Sequence, residues 1–263
     1  MKTYIIYLIT ALISSFLLVS CESGSDYAGD PSGGSTGTGG SMARFTIKDD
    51  VLYVVDNATL KLFNIADAAK PIYMPSRDEG LRQNNLETIF VMDTLLFIGS
   101  QTGMYIYNVS IPGFPEYLSM ASHITSCDPV VASGNYAYVT LNTENAVCGR
   151  NTNEIRVYDI SNPKQPNLDA TISTSSQHPK GLGISGNNLF VCFTAGLRVY
   201  DLTQPNAPKW VADLEDISIN TYDVIPIGAH LMVTGADGFY QFEYDDAATK
   251  LSLLSKIAVS KEN

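Results

Sequence analysis

The residues of this 263-residue sequence that could do chemistry are four cysteines, three histidines and 27 acidic residues. His123, His178 and His230 are far apart in the sequence, which argues against a histidine-based metal cage. The sequence contains no nucleophile elbow, zinc-protease motif, phosphate-binding loop or dinucleotide fingerprint. His178, two residues before Lys180, is a weak candidate base, because an isolated loop histidine is more often an ordinary surface residue. The absence of these motifs favours a protein without a catalytic site.

Cys21 ends an apolar N-terminal segment, and its position suggests lipid attachment. Lys2 precedes the apolar residues 4–19, which are fewer than the roughly 20 needed to span a bilayer. The sequence Leu18-Val19-Ser20-Cys21 resembles the bacterial lipobox, whose cysteine is lipidated and becomes the mature N-terminus. We therefore predict a lipoprotein signal peptide at 1–20 and lipidation at Cys21. An ordinary secretory signal and an uncleaved anchor are the alternatives.

Residues 21–41 are predicted to form the lipidated cysteine and a flexible tether. Residues 22–41 contain seven Gly and five Ser, a composition that cannot bury enough apolar surface to order the chain. The random-coil estimate for this segment is an average span of about 25 Å.

Residues 42–263 contain a fivefold repeat. An alternating apolar strand recurs at 52–56, 95–99, 136–140, 189–193 and 231–235, with starts 43, 41, 53 and 42 residues apart. A second strand follows each, at 60–65, 104–109, 155–160, 197–202 and 239–244, and contains an aromatic residue followed by Asn, Asp or Glu. One further strand is predicted on each side of this pair. Four short antiparallel strands repeated every 40 to 45 residues indicate an all-β, five-bladed β-propeller.

The repeat excludes a β-sandwich, whose strands would not recur in register, and a parallel solenoid, whose period would be shorter. The first repeat begins on the innermost strand of a blade, and the last ends on the outermost strand. The ring is therefore expected to close by packing alone, unless the N-terminal strand pairs with the last blade.

The repeat resembles the LVIVD-repeat proteins, in particular lipoproteins of this type from the Bacteroidetes. Its core is visible as Leu52-Tyr53-Val54-Val55-Asp56, and longer similar stretches occur at 127–141, 148–163, 179–192 and 222–244. The resemblance covers essentially all of 42–263. It implies a propeller displayed by a lipid anchor, and it supplies no catalytic residues. The fourth repeat departs from the pattern at Cys192-Phe193-Thr194.

The exported location permits a disulfide, and we predict one between Cys127 and Cys148. Cys127 precedes the first strand of the third blade, and Cys148 lies in an insertion between that blade's second and third strands. Both connections emerge on the same face of a propeller, so the two thiols are expected to lie close together. Two free thiols are the alternative. Cys192 alternates within a strand and is predicted to be buried and inert.

The longer polar loops, at 76–85, 173–180 and 214–221, share the face that carries the Cys148 insertion, which makes it the expected binding face. Aligning the repeats places Arg44, Glu87, Asp128, Gly181 and Asp223 at one position where the innermost strands enter the axial channel. With Lys180, the charged residues of this set form a candidate ligand site at the channel mouth. Such a site suits a cationic or hydroxyl-rich ligand, or Ca²⁺. Solvated strand ends in an acidic protein are the alternative, and no cofactor is required.

The charge balance restricts the partners of the protein. The net charge of −11 disfavours nucleic acid. We expect a monomer in the bacterial cell envelope, held at the outer membrane by lipid. Its predicted function is to bind a ligand, a glycan or another envelope protein. A propeller hydrolase or lyase that uses acidic residues at the channel mouth is the alternative function.

Overall fold

The computed structural model describes residues 40–75, 85–123, 129–142, 152–174, 177–214, 219–245 and 250–259. These residues form twenty β-strands in five four-stranded antiparallel sheets, and they contain no helix. Each sheet is built from four consecutive strands, which are the four predicted from each repeat. The prediction of a propeller with five four-stranded blades is confirmed.

The blades are numbered in chain order, and so are the strands within each blade. Blade 1 contains β1 (Phe45–Lys48), β2 (Val51–Val55), β3 (Leu60–Asn64) and β4 (Ile72–Met74). Blade 2 contains β5 (Leu86–Met92), β6 (Leu95–Ser100), β7 (Gly103–Asn108) and β8 (Glu116–Ser122). Blade 3 contains β9 (Val130–Ser133), β10 (Tyr136–Asn142), β11 (Asn153–Asp159) and β12 (Asn167–Ser173). Blade 4 contains β13 (Leu182–Ser185), β14 (Asn188–Phe193), β15 (Gly196–Asp201) and β16 (Lys209–Leu214). Blade 5 contains β17 (Thr221–Ile227), β18 (His230–Gly235), β19 (Gly238–Tyr244) and β20 (Leu251–Ala258).

A tight turn joins the first two strands of every blade. Its first residue has a positive φ of 50–59° in all five blades, at Asp49, Asp93, Gly134, Gly186 and Gly228. Glycine adopts this conformation without steric cost, and Asp is among the few other residues that tolerate it. The turn chemistry of the sequence therefore fixes the hairpin that starts each blade.

The polar residue after the repeated aromatic starts the link to the outermost strand. The side-chain oxygens of Asn64, Asn108, Asp159 and Asp201 each accept a hydrogen bond from the amide two residues later, at 2.8–2.9 Å. This is an Asx turn, in which a short side chain replaces a backbone acceptor. The geometry explains why the repeat keeps a short polar residue at this position.

The hydrophobic core consists of four clusters, one at each junction between consecutive blades 1–2, 2–3, 3–4 and 4–5. At each junction, one side of a blade packs on the opposite side of the next blade. The second strands show the result, because the middle residues of β6, β10 and β14 are buried on both sides.

The junction between blades 5 and 1 is different. The innermost strand β1 pairs with β2 inside blade 1, which excludes the alternative in which it completes the last blade. Among the described residues, no buried cluster joins blade 5 to blade 1. Burial alternates along β2 and β18, so each terminal blade keeps one partly exposed side. The expected closure by packing alone is therefore not what the structure shows, because the two terminal sides do not bury one another.

Candidate functional site

The chain just before β1 crosses the rim of the channel on the face predicted to bind. Ser41 is 1% exposed, and its hydroxyl donates a hydrogen bond to Asp223 Oδ1 over 2.9 Å and accepts one from the Leu182 amide over 2.7 Å. The carbonyl of Ala43 accepts a hydrogen bond from the Ile89 amide over 2.9 Å. Residues 41–43 thus connect blades 4 and 5 to blade 2 across the mouth of the channel.

Asp223 is held by the chain's own donors. Besides Ser41, the amides of Met42 and Val224 donate hydrogen bonds to its carboxylate, over 3.2 and 3.0 Å. Burial raises the pKa of Asp223 to about 6, and these donors only partly oppose the shift. Gly181 is adjacent, because a Cβ atom at this position would collide with Asp223 Oδ1. These contacts make Asp223 an internal anchor of the rim.

Three other predicted mouth residues bind local partners. Arg44 donates to Asn57 Oδ1 and to the Leu86 carbonyl, each over 3.0 Å. Glu87 accepts a hydrogen bond from the Gln101 side chain over 3.2 Å. The Lys180 amino group donates to the Asn220 side chain and lies 4.9 Å from the centre of the Tyr222 ring. Asp128 lies outside the described residues. The ligand-binding role of Arg44, Glu87, Asp128, Lys180 and Asp223 stays a prediction.

The strand register differs from the predicted alignment by one residue in blades 2 and 3. In every blade, one residue of the innermost strand, or the residue just before it, lies opposite the fifth residue after the tight turn. That residue is Arg44, Thr88, Pro129, Gly181 or Asp223. Glu87 and Asp128 lie one residue ahead of this position, because they are six residues before the tight turn instead of five, and a register shift also leaves Glu87 without a cross-strand partner.

A pocket of about 370 Å³ lies along the axis, between the innermost strands of blades 2 to 5. Its lining is mainly apolar and consists of Phe90, Val131–Ser133, Leu182–Ile184, Gly186 and Val224–Pro226. Several of these residues lie beside the tight turns, toward the end of the channel opposite the predicted mouth. The pocket is large enough to hold a small apolar molecule.

Close contact between blades 4 and 5 shapes one wall of the pocket. A Cβ atom on Gly183 would lie 2.6 Å from Pro226 Cδ and 2.7 Å from the Val224 carbonyl oxygen. Only glycine allows this approach. The charged residues and long loops of the sequence do not indicate this pocket, which is lined by short apolar strands. Gly183 and Pro226, at adjacent register positions of two innermost strands, were the available signal.

The four cysteines have different outcomes. Cys21, Cys127 and Cys148 lie outside the described residues, so the lipidation and the disulfide stay predictions. Cys192 is a free, buried thiol, as predicted. Burial, together with the charge of Asp223, raises its pKa well above the ordinary range, which keeps the thiol protonated and unreactive.

The structure adds little on metal or base chemistry. Across the described ranges, no group of three or more His, Cys, Asp or Glu side chains is arranged to hold a metal ion. His178 Nδ1 lies 3.1 Å from Asn153 Oδ1. In the same part of the chain, no helix is long and apolar enough to span a bilayer.

The comparisons with known proteins support the fold and the repeat. The sequence profile of the LVIVD repeat matches residues 126–174, which include blade 3. No curated protein sequence matches the chain.

Solved structures with a similar fold are distant in sequence. A functionally unknown protein from Desulfotomaculum acetoxidans superposes with a TM-score of 0.62 at 11% identity, over 86% of this chain and 70% of that one. A protein from Lactobacillus plantarum gives 0.56 at 17% identity, over 79% and 67%. Apo AztD from Citrobacter koseri gives 0.57 at 12% identity, over 78% and 59%. The chain therefore spans 59–70% of the length of these proteins, and at this identity the likeness concerns the fold alone.

Proposed function

We propose that this protein is a non-catalytic binding module of the bacterial envelope that holds a small apolar ligand in its axial pocket. The observation that carries the proposal is the pocket of about 370 Å³ between four innermost strands. Its volume lies near the lower end of the range of known ligand pockets, and its walls are rigid β-strands. A preformed site of this kind binds without the cost of ordering a loop.

The lining favours apolar ligands over glycans. The side chains of Phe90, Val131, Ile184 and Ile225 offer no hydrogen bonds, and Ser133 supplies one hydroxyl. A sugar in this pocket would leave most of its hydroxyls without partners, at a cost of about 1–3 kcal/mol each. A hydrocarbon or aromatic group has no such cost.

Saturable binding of a neutral apolar dye, N-phenyl-1-naphthylamine, tests the pocket. We expect one site per chain in the wild type, and at least tenfold weaker binding by Ile184→Glu, because a carboxylate in the apolar wall must be desolvated. The matched control is Ile111→Glu, at a residue 63% exposed on the surface. If the wild type binds no dye, or if the two variants bind it with equal affinity, the proposal is wrong.

The envelope location rests on the N-terminal residues. The apolar segment 4–19, Cys21 and the Gly/Ser-rich residues 22–41 suit a lipid anchor that holds the propeller away from the outer membrane. We expect Cys21→Ala to release a folded protein from membranes. If the variant stays in the membrane fraction, the predicted lipid anchor at Cys21 is wrong, but the proposal of ligand binding in the pocket still stands.

A hydrolase or lyase at the channel mouth is the second candidate, and one observation favours it. The pKa of Asp223, raised by burial to about 6, is suitable for a general acid. However, Ser41, Met42 and Val224 already donate to its two oxygens, which supports a structural role. Screening glycoside and ester substrates against the wild type and Asp223→Asn distinguishes the two.

A further inference from the structure

The terminal blades each present an apolar sheet face that no other described blade covers. The first, termed the blade 5 face, contains Ile225, Met232, Phe239 and Gln241. The second, termed the blade 1 face, contains Phe45, Leu52, Val54 and Phe63. Phe45 is 59% exposed, and the other seven residues are partly exposed.

The same repeat positions are buried wherever a neighbouring blade is present. The positions of Leu52 and Val54 on the second strand are occupied elsewhere by Leu96, Ile98, Ala137, Val139, Leu189, Val191, Leu231 and Val233, all 0% exposed. Met232 corresponds to Tyr53, Phe97, Tyr138 and Phe190, which are also 0% exposed. Within the described part of the chain, the two faces are therefore junction surfaces without a partner blade, and their exposure is not a property of ordinary surface residues.

The four internal junctions show what fits these faces. In each junction, the side of a blade that carries the Met232-type residue packs against the side of the next blade that carries the Leu52-type residue. The blade 5 face is of the first kind, and the blade 1 face is of the second kind. One is therefore the chemical complement of the other.

We propose that the blade 5 face of one chain docks on the blade 1 face of a second copy, forming a fifth junction between molecules. The new junction continues the series of four that the chain already makes. The same register places Lys61 opposite Val54 on the blade 1 face and Glu243 opposite His230 on the blade 5 face, so the net negative charge of the chain is not concentrated at the contact. Burying these side chains removes apolar surface from water, which drives the association. Under this proposal the protein self-associates, in contrast to the monomer expected from the sequence.

Thiol cross-linking in intact cells tests the docking. Val54→Cys is placed in one copy and Met232→Cys in a differently tagged copy, both in the full chain. A bis-maleimide that spans about 10 Å, the distance between packed sheets, is then added. We expect a product of dimer mass at least tenfold above the wild type, which controls for the native thiols. The control pair is Phe114→Cys with Trp210→Cys, which are 64% and 61% exposed and lie off both faces.

Two results would overturn the proposal. One is the absence of a dimer-mass product above both controls. The other is a product of monomer mass from the double variant Val54→Cys/Met232→Cys without dimers, which shows that the ring closes on itself.

A second measurement does not depend on the cysteine variants. Sedimentation of the wild type should show dimers and longer head-to-tail assemblies, because a docked pair still presents one open face at each end, whereas Leu52→Asp and Met232→Asp should each lower the assembled fraction at least tenfold. Mixing the two variants should restore dimers, because one intact junction remains between them. If the mixture stays monomeric, head-to-tail docking is excluded. Neither experiment depends on the axial pocket or the lipid anchor.

Discussion

Blades 2, 3 and 4 differ from blades 1 and 5 in the burial of equivalent side chains. In the interior blades, the second strand is buried on both sides over most of its length. In the terminal blades, burial alternates with every residue. The residue types are nearly the same, since leucine occupies one repeat position at Leu52, Leu96, Leu189 and Leu231. Burial in this molecule is therefore set by the neighbouring blade and not by the residue.

A second difference lies at the rim. The internal junctions combine apolar packing with hydrogen bonds between neutral groups, such as that from the Tyr53 hydroxyl to the Pro112 carbonyl. The described link between the chain ahead of blade 1 and blade 5 instead includes hydrogen bonds from Ser41 and Met42 to the carboxylate of Asp223. Because a buried carboxylate is costly, this link should be sensitive to pH in a way that the internal junctions are not.

The largest expected effect compares two leucines at the same repeat position. Leu96→Ala, at a residue 0% exposed, should lower the free energy of unfolding by about 2–5 kcal/mol. Leu52→Ala, in the open face of blade 1, should lower it by about 1 kcal/mol or less. Urea unfolding of dilute protein measures both. Equal losses would mean that blade 1 is covered as completely as blade 2.

The next effect concerns the pH dependence of stability. The pKa of Asp223 is about 6 in the folded protein, above its ordinary value of 3.8, so the folded state binds the proton more tightly. The protonated Asp223 therefore contributes to the free energy of unfolding below pH 4. About 3 kcal/mol of that free energy is lost as the pH rises through 6. Unfolding curves from pH 4 to 7 should show this loss relative to Asp223→Asn.

Asp201 is the control for that measurement. The hydrogen bond from the Thr203 hydroxyl lowers the pKa of Asp201, and the Thr203 amide adds to the effect. Its contribution therefore has the opposite sign and is lost as the pH falls. If Asp201→Asn and Asp223→Asn shift the pH profile in the same direction, the assignment of Asp223 is wrong.

A smaller difference in stability is expected at the residue that starts the link to the outermost strand, where blade 5 differs from the other blades. Asn108→Ala should cost about 1 kcal/mol, because the Ser110 amide loses its acceptor. Glu243 occupies the equivalent position in blade 5, where the side chain is longer and exposed, and Glu243→Ala should change stability by less than about 0.5 kcal/mol. Thermal unfolding of the two variants gives the comparison, and a larger loss for Glu243→Ala would contradict it.

The smallest effect is expected at the outer strand of blade 5. Ile257 is 67% exposed, so Ile257→Ser should change the unfolding free energy of dilute protein by no more than about 0.5 kcal/mol. A loss above about 1 kcal/mol at low protein concentration would show that something covers this strand.

The sequence predicted the number of blades, the four strands of each and the burial of Cys192. These features are local, because alternation, turn residues and the short polar residue after each aromatic act within a few positions. The predicted charge ring at the channel mouth depended on a one-residue alignment. Counted back from the tight turns, Glu87 and Asp128 lie one residue ahead of Arg44, Gly181 and Asp223, and a one-residue shift reverses the direction of a side chain. Bulges at Glu87 and Tyr222, which no local sequence pattern marks, make the residue spacing on the N-terminal side of this position unequal between blades.

The sequence by itself determined the repeating hairpins, because Asp or Gly at each tight turn and alternating apolar residues leave one low-energy arrangement of a blade. Only the tertiary structure decided which apolar sides are covered, that residues 41–43 cross the channel mouth, and that Gly183 brings blades 4 and 5 together beside a pocket. These features arise from contacts between residues far apart in the chain. Ser41 and Asp223, for example, are 182 positions apart, and their contact depends on how the blades between them stack.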